Sequence, residues 1–72
     1  MTKIRVYRTR KKITIAEMAT DIIISPSTLS WIECKRMVPL EAQKERIAEY
    51  LGHTVDELFG ESGLAREIEF EK

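Results

Sequence analysis

Apolar residues recur along this chain at helical spacing, in short segments that have recognisable ends. The clearest segment starts at Thr14, because Thr14 and Glu17 are three residues apart and have the residue types of a capping box. Three apolar residues follow at the spacing of a buried helical stripe: Met18, Ala19 and Ile22. The pattern predicts a helix that begins directly after Thr14.

Similar signals predict the two neighbouring helices. A first helix is expected over residues 3–12. A third is expected to open at Ser25-Pro26, since serine is a strong N-cap and proline at the first helical position loses only an amide that would have no partner. Leu29 and Ile32, three residues apart, are expected to face the core.

The second half of the chain contains two more helix signals. Pro39 breaks the chain, and a helix is expected to start just after it and to run to about Leu51, with Gly52 as the residue that ends it. Thr54 and Glu57 repeat the capping-box pattern and predict a short last helix. The pattern therefore predicts an all-α fold.

The chain divides into a helical domain, residues 1–60, and a tail, residues 61–72. The tail is either frayed or a docking segment. Residues 68–71 alternate in polarity like a strand, but a lone strand is expected to have nothing to pair with here.

Length and composition exclude several classes of protein. A chain of 72 residues is one small domain with a thin core. Its one cysteine, Cys34, and one histidine, His53, are too few for a zinc site and form no catalytic constellation. We therefore expect no enzyme activity, metal or cofactor. No apolar run is long enough for a signal peptide or a membrane span, and a reducing cytoplasm is expected.

The net charge is zero, but the charge is unevenly distributed. Residues 1–36 hold eight Lys or Arg and three acids, whereas residues 37–72 hold four basic residues and nine acids. Such a chain can still present a positive face to phosphate groups. The alternative is that the N-terminal charges are only a solvated helix surface.

The connection between the second and third helices is only about two residues, Ile23 and Ile24. Two helices joined this tightly, the second capped by serine, are typical of a helix-turn-helix. Across residues 4–59 the chain resembles the lambda-repressor-like, Cro/C1-type helix-turn-helix family. The matching pieces are residues 13–19, residues 25–33, Pro39, residues 47–52 and residues 56–59.

The resemblance implies a compact five-helix DNA-binding domain with a short C-terminal tail, in which the third helix contacts operator DNA. The implied DNA-binding residues are Ser25, Ser27, Thr28, Ser30, Trp31, Lys35, Arg36, Lys11 and Lys12. Arg8 and Glu33 match positions that form an ion pair supporting the fold. The small size and the resemblance together suggest a bacteriophage genetic switch in the cytoplasm of a bacterial host cell.

The sequence departs from the family pattern on the surface that should contact DNA. Ile15 replaces a glutamine that contacts phosphate, and Trp31 replaces a polar or basic residue. Ile23 replaces the glycine of the turn. A β-branched residue is strained at positive φ, so we expect either a different turn geometry or a longer second helix. After the third helix, Lys35 and Arg36 keep the charge, but the family's glycine is absent.

Several of these departures place an apolar side chain where the family has a polar residue or glycine. Six residues are predicted to form a contiguous apolar surface for a protein partner: Ile15, Ile23, Pro26, Trp31, Met37 and Val38. The alternative is that Ile15 and Ile23 pack into a slightly altered core.

Two functional hypotheses follow. The first is a regulator that acts with or against a partner repressor at operator DNA, as an antirepressor or co-repressor. The second is a stand-alone Cro-like repressor that binds operator DNA directly through its third helix. A weak homodimer is also considered, with residues 64–72 as the only spare element to supply its contact.

Overall fold

A computed structural model of the chain describes residues 1–68, which form five α-helices and contain no β-strand. The helices are α1 (Lys3–Arg10), α2 (Ile15–Ile22), α3 (Pro26–Glu33), α4 (Glu41–Leu51) and α5 (Val55–Leu58). The prediction of an all-α fold is therefore confirmed. No helix in this part of the chain is both long enough and apolar enough to cross a membrane.

The capping signals around the second and third helices are confirmed. The Thr14 hydroxyl accepts the Glu17 amide at 3.1 Å, and the Glu17 carboxylate accepts the Thr14 amide at 3.3 Å. Ser25 caps α3 by accepting the Thr28 amide at 3.2 Å, with Pro26 at the first helical position. Both helices therefore begin where local hydrogen bonding satisfies their first amides.

Two predictions, one for the end of the first helix and one for the start of the last, were wrong in detail. The first helix ends at Arg10 rather than at residue 12, because Lys12 adopts a left-handed backbone with φ 58°. Thr54 accepts the Glu57 amide at 3.2 Å, but the Glu57 carboxylate lies 2.7 Å from Nδ1 of His53. The second capping box is therefore only half formed.

The core lies where α1, α2, α3 and α4 meet, and α5 closes it. The predicted stripes of α2 and α3 are buried, which confirms the helical period, and α4 buries Ile47, Ala48 and Leu51 at the same spacing. The fully buried large side chains are Ile4, Met18, Leu29, Ile32, Ile47, Leu51 and Leu58. Leu29 and Ile32 anchor α3 in this core, so the opposite side of α3 faces solvent.

Four helices end in the same hydrogen-bonded turn, in which one residue has a left-handed backbone. In α2 the Ile24 amide donates to the Ala19 carbonyl at 3.0 Å, and the Ile23 amide donates to the Thr20 carbonyl at 3.4 Å. This pair of bonds is the Schellman motif. The equivalent left-handed residues of α1, α3 and α4 are Lys12, Lys35 and Gly52.

The turn between α2 and α3 contradicts both sequence expectations for Ile23. Helix α2 does not run on, and the turn does not change its geometry to suit a β-branched residue. Ile23 instead adopts the left-handed conformation itself, with φ 59° and ψ 51°. The physical reason is that Ile24, which is 9% exposed, packs in the core while its amide closes the motif. The strained backbone of Ile23 is the cost of that closure.

The segment after α5 folds back onto the first residues of the chain. Isolated bridges join Phe59 to Ala65 and Thr2 to Glu67, and Ala65 is part of the core. The expectation that residues 68–71 would have nothing to pair with was wrong at Ile68, whose amide donates to the Met1 carbonyl at 2.9 Å. Most of the predicted alternation, residues 69–71, lies outside the described residues.

Candidate nucleic-acid and protein interface

Helix α3 presents a narrow outward surface because three of its residues are turned into the protein. Leu29 and Ile32 are fully buried, and Glu33 is 4% exposed. With 100° between successive residues, the direction opposite to these three is occupied by Ser27 and Trp31. Both are exposed. Helix geometry therefore centres the outward surface of α3 on these two side chains.

The remaining hydroxyl groups of α3 are less available. The Ser25 hydroxyl accepts the Thr28 amide and donates to the Thr28 hydroxyl oxygen at 2.7 Å. Thr28 and Ser30 are only partly exposed. Among the candidate base-contacting residues, Ser27 thus has the most accessible hydroxyl. A single hydroxyl discriminates poorly between base pairs.

Trp31 dominates the outward surface of α3 by its size. Its side chain is 52% exposed, and none of the hydrogen bonds described for residues 1–68 uses its indole N–H. Tryptophan is enriched in the buried centres of protein interfaces, where it combines a large apolar surface with one donor. The outward surface of α3 is therefore apolar at its centre.

Basic residues lie next to α3 and at the end of α1. Lys11, Lys12, Lys35 and Arg36 are all exposed, as contacts to phosphate require. Lys35 also lies 3.6 Å from the Glu67 carboxylate. A hydrogen bond from the N-terminal ammonium group, its positive charge and that of Lys35 lower the pKa of Glu67. An exposed pair of this kind contributes little stability.

The ion pair expected between Arg8 and Glu33 is present and buried. Nε of Arg8 donates to the Glu33 carboxylate at 2.6 Å, and a terminal nitrogen of the guanidinium donates to its other oxygen at 3.2 Å. A third bond from Arg8 reaches the carbonyl of Ile13 at 2.7 Å. This two-bond pair ties α3 to α1, so it holds the orientation of the outward surface.

Ile23 is the most exposed large apolar residue of the turn, at 81%. It borders a groove of about 320 Å³ between the C-terminal ends of α2 and α4, whose other lining residues are Asp21, Ile22, Arg46, Glu49 and Tyr50. The Tyr50 hydroxyl donates to the Asp21 carboxylate at 2.7 Å across this groove. This hydrogen bond, partial burial and the negative charges of Asp21 and Glu17 raise the pKa of Tyr50.

The other members of the predicted partner surface have different surroundings. Ile15 is half-buried, and Met37 packs against the core. Pro26 is exposed. Val38 is 51% exposed and lies so close to Gly63 that a Cβ built there would be 2.7 Å from Cγ1 of Val38. Of the six residues predicted for the partner surface, the exposed ones are therefore Ile23, Pro26, Trp31 and Val38.

Sequence reasoning missed three features of this region. Leu40 is 69% exposed at the start of α4, where its amide donates to the Gln43 side chain at 2.9 Å. The Tyr50–Asp21 bond and the Lys35–Glu67 pair join residues far apart in sequence. An apolar residue at an N-cap position was a local signal for Leu40, whereas the two long-range contacts leave no local signal.

The cysteine and the histidine are separate from this surface chemistry and from each other. The His53 ring stacks on Tyr7 with 4.0 Å between the ring centroids, while Cys34 is exposed at the end of α3. Within residues 1–68, no group of three or more His, Cys, Asp or Glu side chains is placed to hold a metal ion.

No family model, no curated protein and no solved structure matches this chain.

Proposed function

We propose that this chain is a helix-turn-helix regulator of a bacteriophage lysis–lysogeny switch that acts with or against a partner repressor at operator DNA. In this proposal α2, its turn and α3 are the helix-turn-helix, and the outward surface of α3 contacts the partner. The observation that carries it is the half-exposed Trp31 at the centre of that surface. A base-contacting helix needs long polar side chains at this place.

The charges around α3 give the proposed regulator its connection to DNA. Lys11, Lys12, Lys35 and Arg36 provide cations for phosphate groups on either side of the apolar centre. Contacts of this kind position a protein on DNA but do not specify a sequence. Sequence specificity then comes mainly from the partner repressor.

The decisive experiment is a mobility-shift titration with operator DNA. The chain is tested alone and then together with a candidate partner repressor and that repressor's operator. We expect this chain to release the repressor from DNA or to supershift its complex. Identical repressor–DNA complexes with and without the chain would contradict the proposal.

A matched pair of variants tests the role of the α3 surface. Trp31→Ala should weaken partner binding about thirtyfold if Trp31 is an interface hot spot. Leu40→Ala removes a comparably exposed apolar side chain at the start of α4 and should leave partner affinity unchanged. Equal effects of the two variants in calorimetric titration would count against a partner surface centred on α3.

The second candidate is a stand-alone repressor, and the four exposed cations favour it. Direct operator binding would weaken steeply with salt, because each phosphate contact releases counterions. A sequence-specific shift by this chain alone at micromolar concentration, with a steep salt slope, would select this candidate. A flat salt response would exclude it.

A further inference from the structure

The groove between the C-terminal ends of α2 and α4 combines an apolar rim residue with charges of both signs. Ile23 stands at its rim, 81% exposed. Asp21, Arg46 and Glu49 line the same groove, which has a volume of about 320 Å³. A space of this size accommodates an aliphatic side chain from another molecule.

Within residues 1–68, Ile23 has no structural use that a glycine would not serve. Its two roles in the turn, donating to Thr20 and preceding the buried Ile24, involve only its backbone. Its left-handed conformation is costly for a β-branched residue, and its side chain gains little burial. Backbone strain of this kind clusters at binding sites, where a contact outside the chain offsets it.

Two of the three charged residues of the groove, Arg46 and Glu49, are complementary to the same pair in a second copy, while the third, Asp21, accepts the Tyr50 hydroxyl of its own chain. Arg46 is exposed, and its one described hydrogen bond is a long one, 3.5 Å, to the Ile22 carbonyl. Glu49 is exposed one helical turn further along the same groove. A two-fold axis that passes between Arg46 and Glu49, perpendicular to α4, would bring the cation of each copy opposite the anion of the other, as an isologous interface allows.

We propose that a second copy of this chain docks in this groove. Ile23 of each copy enters the groove of the other, and Arg46 of each copy pairs with Glu49 of the other. The surface is small, so the dimer is weak, with a dissociation constant of roughly 0.1 mM. This interface is separate from the outward surface of α3 and does not depend on the proposed regulatory function.

Sedimentation equilibrium of the intact chain tests the proposal directly. Between about 10 µM and 1 mM, a range that brackets the expected dissociation constant, the average mass should rise from 8.4 kDa towards twice that value. A mass that stays at 8.4 kDa over the whole range overturns the proposal.

Ile23→Gly separates docking from folding, because the two effects have opposite signs. Glycine keeps the left-handed turn and relieves its strain, so the isolated chain should melt at a higher temperature at 10 µM. Self-association should nevertheless weaken about thirtyfold. Self-association equal to that of the unsubstituted chain overturns the role of Ile23. Lys35→Gly is the control, since it makes the same backbone change at α3, outside the groove.

A charge-exchange experiment tests the two-fold pairing. Arg46→Glu and Glu49→Arg should each be monomeric alone, because like charges then face each other across the axis. An equimolar mixture of the two variants should dimerise, since every pair across the interface is again of opposite sign. A mixture that stays monomeric while the unsubstituted chain dimerises overturns this arrangement. Salt should weaken both dimers alike.

Discussion

The C-terminal turns of α2 and α4 have the same hydrogen bonds but different residues at the left-handed position. Ile23 occupies it after α2, and Gly52 after α4. Each turn places the next amide on the carbonyl five residues back, at 3.0 Å in α2 and 2.9 Å in α4. Backbone hydrogen bonding therefore sets the conformation of both turns. At Gly52 the residue type suits that conformation, whereas at Ile23 it opposes it.

The two turns also touch each other, which makes them a matched pair within one molecule. Asp21 lies two residues before Ile23, Tyr50 lies two residues before Gly52, and their side chains are hydrogen-bonded at 2.7 Å. Substitutions at equivalent positions of the two turns can therefore be compared within the same fold.

The largest difference is expected at the residue after the left-handed position. Ile24 is buried and His53 is half-buried. Ile24→Ala should lower the free energy of unfolding by about 3 kcal/mol, because it leaves a cavity in the core. His53→Ala should cost no more than about 1 kcal/mol. Urea denaturation measures both, and equal losses would mean that Ile24 does not anchor its turn.

Opposite signs are expected at the left-handed position itself. Ile23→Gly should raise the free energy of unfolding by about 1 kcal/mol, since relief of strain outweighs the greater entropy of the unfolded glycine chain. Gly52→Ala should lower it by about 1 kcal/mol. An added Cβ at Gly52 meets nothing within 4 Å, so that cost is purely conformational. Thermal melts at low protein concentration should separate the two variants, and shifts of the same sign would refute the comparison.

A smaller gain is expected where the left-handed residue is unbranched. Lys35→Gly should raise the free energy of unfolding by about 0.5 kcal/mol, because lysine tolerates this conformation better than isoleucine does. The same variant removes one candidate phosphate contact, so the salt slope of any DNA binding should fall by about 1. A stability gain as large as that of Ile23→Gly would show that β-branching is irrelevant to the strain.

The smallest effect concerns the hydrogen bond that joins the two turns. The bond to Asp21 raises the pKa of Tyr50 above its ordinary value of 10.0. The folded state therefore favours the protonated phenol. Its contribution to stability is fully present below pH 10 and is lost as the pH rises through the raised pKa. Stability measured from pH 9 upward should fall more steeply for the unsubstituted chain than for Tyr50→Phe. Parallel curves would argue against the bond.

Local signals in the sequence predicted where the helices start. Where the helices end also depends on tertiary contacts, which local signals do not report. Thr14 and Ser25 cap their helices by bonds that reach only three residues, so their sequences suffice. The preference of glycine for the left-handed position after a helix correctly identified Gly52. It gave the wrong expectation for Ile23, which adopts the left-handed conformation because the following residue is buried.

The candidate site was predictable to a similar degree. The helical period is sufficient to place Trp31 on the outer side of α3, opposite the buried Leu29 and Ile32. The groove beside Ile23 was not predictable, because half of its lining comes from α4, more than twenty residues away. Side chains that meet across such distances leave no periodic signal in a single sequence.

The return of the chain to its own beginning has a consequence for the order of folding events. The Ile68 amide donates to the Met1 carbonyl, and the Lys3 amide donates to the Arg66 carbonyl, both at 2.9 Å. These contacts close a loop of more than sixty residues, whereas the helical contacts close loops of three to five. The entropic cost of closing a loop rises with the length of the loop. Contacts between residues far apart in sequence therefore form more slowly than local contacts. The hydrogen bonds between residues 1–3 and 66–68 should therefore form after the helices have packed. We expect them to be absent from the folding transition state.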